Sequence, residues 1–104
     1  MKDANFVLVV RFSIDPQAVA DVMHWLDGGH VAEVLRQQGF LWCKRLRLGP
    51  HDFAMLYGIE SRAAFEAYEA NAALKAKFAR ERAPFERHMR IERFCGEAEK
   101  TYAA

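Results

Sequence analysis

Cysteine is nearly absent: the 104 residues include 2, Cys43 and Cys95, outside any C-x-x-C pattern. A disulfide-stapled scaffold is thereby excluded, and reduced thiols packed as small hydrophobes are expected. The 4 histidines (His24, His30, His51, His88) lack i, i+4 pairing, so no metal-ligand set is legible and no metal is expected. An excess of one charge is missing too, because 15 Lys and Arg against 14 Asp and Glu leave +1. Bulk charge therefore selects neither nucleic acid nor an anionic membrane. The longest purely apolar run is Phe6 to Val10. It falls far short of the ~20 residues of a membrane span and the ~7–15 of a signal-peptide core. Cytoplasmic location is the expectation.

What is present is a core-forming composition, 52% hydrophobic and 28% charged, which excludes a disordered chain. A mass of 11.9 kDa suits one domain over residues 1–104. Folding at this size buries roughly 65% of the surface of the unfolded chain, enough for a true core.

Phe6 to Phe12 is β-branched, aromatic and apolar on both sides, and predicts a central strand. Asp15-Pro16 predicts a helix start, with Asp15 as N-cap and Pro16 in the first turn. Val19, Val22, Met23 and Leu26 form its buried stripe, and Gly28-Gly29 breaks it. A short turn with Val31, Val34 and Leu35 follows and stops at Gly39. Phe40 to Leu48 is the next strand, and Gly49 to Asp52 turns the chain into Phe53 to Ile59. Ser61 caps one long helical region carrying Phe65, Tyr68, Leu74 and Phe78, ended at Pro84. His88 to Cys95 alternates as a last strand.

The order β-α-β-β-α-β predicts a ferredoxin-like α+β sandwich with a four-stranded antiparallel sheet. Helices cover one face of such a sheet. The other face should then be polar, yet both are apolar: Phe6, Leu8, Val10 and Phe12 oppose Val7 and Val9, and Phe40, Trp42, Leu46 and Leu48 oppose Leu41 and Cys43. Leaving ~400 Å² of such surface wet forfeits on the order of 10 kcal/mol, comparable with the stability of a whole domain. A second copy of the chain is the simplest cover, so the expected partner is the chain itself as a homodimer.

The element order and local signatures resemble the dimeric α+β barrel superfamily. The resemblance rests on Asp15-Pro16, on Trp25 late in the first helix, and on His30 to Leu35 running to Gly39-Phe40. Phe53 to Tyr57 before a Ser61-led helix with Phe65 and Tyr68 completes it. It covers nearly the whole chain, from Asn5 to Lys100, and is closest to a small bacterial family of uncharacterised domains. It implies two sheets face to face in a homodimer, and a cavity between each sheet and its helices or loops. Relatives in that superfamily include cofactor-free monooxygenases, haem-degrading enzymes, and isomerases or lyases of small organic acids. Fold does not decide among these.

His30 is the first candidate for chemistry. It follows the break at Gly28-Gly29, where an imidazole can enter a cleft as a base or hydrogen-bonding group, and it matches the position of the superfamily's histidine. The competing account has His30 capping the short turn. Arg11, in a central strand, needs a carboxylate such as Glu92 or a ligand anion. Tyr57 and Trp42 are candidates for an aromatic ligand pocket, or for plain packing. Lys44, Arg45 and Arg47 read as edge-strand charge, and no nucleic-acid partner is expected because Asp52 to Gly58 lacks the stacking aromatics of an RNA-recognition strand. Glu66 and Glu69 read as a solvated helix face. Ser61 to Pro84 contains neither Trp nor His, contrary to the pattern of haem-degrading relatives, so no cofactor is expected.

The expectation is a homodimeric barrel that binds a small, partly apolar organic molecule, with cofactor-free monooxygenase- or isomerase-like chemistry at His30. The alternative is a non-catalytic structural or regulatory dimer with no ligand pocket. A cavity of at least ~300 Å³ separates the two.

Overall fold

The computed structural model describes residues 2–104. Strand β1 (Phe6–Ile14) leads through a turn at Pro16–Ala18 into helix α1 (Val19–Trp25). A wide turn over Leu26–His30 separates α1 from α2 (Val31–Leu35). The hairpin β2 (Phe40–Arg47) and β3 (Asp52–Ile59) follows, then α3 (Arg62–Glu69), α4 (Ala72–Arg82) and β4 (Met89–Glu97). All strand pairs are antiparallel and the order across the sheet is β2-β3-β1-β4, as the ferredoxin-like expectation requires.

Alternation along the central strands sorts the side chains. Phe6, Leu8, Phe12 and Ile14 of β1 and Phe53, Met55, Tyr57 and Ile59 of β3 are buried. They pack with Val22, Leu26, Val34, Leu74 and Phe78 from the helices. Each large side chain so buried contributes on the order of 1.5–3 kcal/mol. Val7, Val9 and Arg11 of β1, and Leu56 beside Val9 on β3, face away from the helices.

Four local readings need correction. Asp15 does not cap with its side chain. Its carboxylate instead pairs with the His88 imidazole at 3.0 Å, fastening the end of β1 to the start of β4. The single long helix is two, because the Asn71 side chain accepts from the Leu74 N–H and opens a new helix at Ala72. Phe40 and Trp42 do not share a face. A register shift between them sends Phe40 into the core and Trp42 to the helix-free side, where its indole lies on Gly58. Glu69 is not merely solvated, since Lys75 and Arg93 both bind it, at 2.8 and 2.5 Å.

Other local expectations hold. Ser61 Oγ accepts from the Ala64 N–H at 3.1 Å, capping α3. Gly39 takes φ 85°, and a Cβ there would meet the Cβ of Ala64 at 2.5 Å, so the α2–β2 turn requires glycine. Both cysteines are free thiols, but only Cys43 packs against the core, and Cys95 is exposed.

Candidate functional site

The wide turn after α1 creates the site. Gly29 adopts φ 150°, a conformation that costs glycine little, and the chain re-enters a helix at Val31. His30 is therefore aimed back under α1 and α4. Its ring stacks on Trp25 with centroids 4.2 Å apart and meets the edge of Phe78 at 4.5 Å. It does not cap α2, and its Nδ1 is buried without a hydrogen-bond partner. Burial is the main influence on its protonation and pushes its pKa down to about 4. Glu81 and Glu33 oppose that shift, while Arg82 adds to it. At neutral pH the imidazole is uncharged, with one ring nitrogen able to accept a proton or hydrogen bond.

Two hollows flank this ring. One is an open depression of about 650 Å³ on the outer side, bounded by Asp21, His24, Gly28 and Gly29. The other, about 500 Å³, lies between the sheet and the helices. Leu8, Val10 and Tyr57 form the floor of the inner cavity, and Trp25, His30 and Phe78 one wall. Trp25 and His30 border both hollows and form the partition between them. The Trp25 indole N–H is held by the Glu81 carboxylate at 3.3 Å, which fixes the partition. Around the inner cavity's polar side stand Lys75, Arg82, Glu86 and Arg93, with the Tyr68 ring among the apolar lining.

The phenols and thiol here are held in their neutral forms. Burial, the largest influence in each case, raises Tyr57 and Tyr68 above the ordinary phenol value. Burial also pushes Cys43, the cross-strand neighbour of Tyr57, up to about 11. A Tyr57 hydroxyl is thus a hydrogen-bonding group rather than a base. Burial works to raise the Glu69 carboxyl as well, but hydrogen bonds from Arg93 and Lys75 outweigh it and leave it lowered.

Of the residues singled out from sequence, the structure brings His30 and Tyr57 together in the inner cavity. Arg11 and Trp42 stand apart from it. Arg11 is not interior in this chain: it is exposed on the helix-free face, opposite Glu92 on β4 and beside Ser13. Trp42 donates its indole N–H to the Lys2 carbonyl at 2.9 Å on that same face. Strand alternation alone separates Arg11 from the floor residues Leu8 and Val10.

Sequence reasoning missed Arg82, Arg93 and Lys75. Arg93 had a signal, because it shares its strand face with Met89 and Ile91, which the fold turns towards the helices. Arg82 had one too, since it follows Leu74 and Phe78 at intervals of four along the buried face of α4.

A sheet with helices on one side and an aromatic-walled cavity between them is the ferredoxin-like architecture. Solved structures bear this out. A cofactor-independent oxygenase from Streptomyces nogalater, SnoaB, superposes with a TM-score of 0.68 at 19% identity, over 94% of this chain and 96% of that one. A putative antibiotic biosynthesis monooxygenase from Deinococcus radiodurans gives 0.74 at 16% identity, over 95% and 97%. The haem degrader MhuD from Mycobacterium tuberculosis gives 0.69 at 18% identity, over 94% and 99%. At these identities the likeness is one of fold. No family model matches the sequence, and no curated protein matches it.

Proposed function

We propose that this chain binds a small, partly apolar organic molecule in the cavity between sheet and helices, and transfers a proton there without a cofactor. The observation that carries the reading is that His30, whose Nδ1 is buried without a hydrogen-bond partner, lines a cavity of about 500 Å³. An orphaned buried nitrogen costs on the order of 1–3 kcal/mol, which a ligand hydrogen bond recovers. The volume also exceeds the ~300 Å³ below which a pocketless structural dimer would be the better reading.

The chemistry follows from charge. A neutral imidazole takes a proton from an acidic C–H or phenol of the ligand, and the anion so formed sits beside the imidazolium and the cavity's cations. That pairing raises the His30 pKa while the anion is present, which offsets its weakness as a base in the empty cavity. An electron-rich carbanion can then react with dioxygen directly, as the likeness to a cofactor-independent oxygenase suggests. For a methylene substrate the balance is R₂CH₂ + O₂ → R₂C=O + H₂O, with the substrate carbon oxidised and oxygen reduced.

Supporting the homodimer is the helix-free face, where Val7, Val9, Trp42 and Leu56 are joined by Leu46, 42% exposed, and Phe94, 56% exposed. A second copy covering this face satisfies the hydrophobic accounting of the sheet. Among the described residues no helix is long and apolar enough to cross a membrane. Two free thiols fit a reducing compartment, and we place the protein in the cytoplasm.

The test is oxygen uptake with 1,8-dihydroxyanthrone, whose methylene is a carbon acid. Turnover above buffer that falls about 10²-fold or more in His30→Ala supports the reading. Equal turnover in the wild type and His30→Ala removes His30 from the chemistry. A bound molecule in native mass spectrometry with no turnover on any carbon acid would leave a binding protein in place of an enzyme.

A further inference from the structure

A second residue of the inner cavity's lining has an orphaned nitrogen, and this one carries a charge. Arg82 Nε is buried without a hydrogen-bond partner, and the nearest carboxylate oxygen, on Glu86, is 3.6 Å away. That carboxylate side chain is 61% exposed, while the Arg82 side chain is 30% exposed. The position is unexpected on packing grounds. Leu74, Phe78 and Arg82 lie at successive i, i+4 steps on α4, and the first two are buried in the core. An apolar residue would continue the stripe with no buried donor left unpaired, as burying an unsatisfied guanidinium nitrogen is costly.

The other cations are held at shorter distances. Lys75 and Arg93 share the Glu69 carboxylate, so neither is free of a partner. At neutral pH the cavity therefore combines one guanidinium held only by the long 3.6 Å ion pair to Glu86, one uncharged imidazole, and aromatic walls from Trp25, Tyr57 and Phe78.

We propose that the cavity selects organic monoanions with a flat apolar body, such as aromatic carboxylates, and that Arg82 holds the anionic group. The guanidinium Nε supplies a charge-assisted hydrogen bond, roughly twice as strong as a neutral one. The rings of Trp25, Tyr57 and Phe78 take the apolar body. The inference rests on the cavity being the ligand site, and it adds which ligands enter.

The experiment is isothermal titration calorimetry at pH 7 with 2-naphthoate and 2-naphthamide, which share a body and differ in charge. The wild type is expected to bind the naphthoate about tenfold tighter or more. Arg82→Gln should lose that preference while holding the amide within about twofold, so the amide doubles as a check on the pocket. Arg82→Lys should fall between. If Arg82→Gln fails to fold, Arg82→Met removes the charge at similar volume and should show the same loss. Equal affinity of the two probes for the wild type, or an unchanged preference in Arg82→Gln, overturns the anion proposal and leaves the ligand cavity standing. Binding of neither probe to the wild type overturns both.

Discussion

Acidification should destabilise this protein through His30 before its carboxylates are fully protonated. In the folded chain burial holds the His30 pKa at about 4, against 6.5 for the free side chain. The unfolded chain therefore binds the proton more readily everywhere between those values. Stability from keeping this ring neutral is fully present above pH 6.5 and is lost progressively as pH falls towards 4. At ~1.4 kcal/mol per tenfold the full difference is about 3 kcal/mol, and the half-buried ring, with water at its edge, trims this to about 2 kcal/mol. Glu81 and Glu33, which favour the imidazolium, and Arg82, which disfavours it, are the charged groups acting on the ring. The assay is urea unfolding at pH 7 and pH 4.5 for the wild type and His30→Phe, a change that retains the stack on Trp25. Carboxylates other than Glu33 and Glu81 titrate alike in both proteins, so the difference between the two pH slopes reports the imidazole together with its coupling to those two. The phenylalanine variant should lose about 2 kcal/mol less on acidification. Equal losses would refute the claim that His30 is held neutral by burial, and an NMR titration placing its pKa near 6.5 would do the same.

Other consequences are independent of that one. Asn71→Ala removes the cap that separates α3 from α4 and should cost about 1 kcal/mol in chemical denaturation. Gly39→Ala forces a Cβ against Ala64 at a positive φ, and should cost about 2–3 kcal/mol, seen as a lowered melting temperature with α2–β2 amide exchange accelerated. Phe78→Ala should cost about 3–4 kcal/mol and enlarge the inner cavity, and an unchanged melting temperature would deny Phe78 its place in the core. Phe94→Asp puts a charge on the helix-free face and should turn a dimer into a monomer in light scattering at micromolar concentration. A wild type that is itself monomeric there would remove the dimer.

The elements most legible in the sequence were those whose pattern has one explanation. Phe6 to Phe12 is apolar on both sides but for Arg11, and only a sheet covered on the helix side buries its larger members. The break before His30 was legible because two adjacent glycines end a helix by backbone freedom alone. The register shift at Trp42 was hidden, since an extra backbone residue leaves the side-chain letters unchanged. Asn71 was hidden for a different reason. It stands among alanines that favour a continuous helix, and the capping bond to Leu74 outweighs that propensity. The site was only half visible. His30 announces itself locally, but Arg82, Arg93 and Tyr57 reach the same cavity from α4, β4 and β3, and no sequence spacing encodes that meeting.

The sheet assigns its two sides to different work through the period of two. On β3, Tyr57 floors the cavity while its neighbour Leu56 points to the helix-free face, and on β1 Leu8 and Val10 floor the cavity while Val9 lies between them on the other side. The proposed assembly and the proposed ligand binding would then use separate side chains carried on one backbone. A charge introduced at Phe94 alters the face proposed to meet a second copy, without touching Arg82 or His30. Loss of the dimer with the naphthoate preference intact would mean that each cavity is complete within one chain. Loss of both together would mean that the bare sheet is too pliant to keep Tyr57, Leu8 and Val10 in place beneath the ligand. The paired face would then be part of the site's support, which explains why a strand so apolar on its outer side is kept directly beneath the cavity.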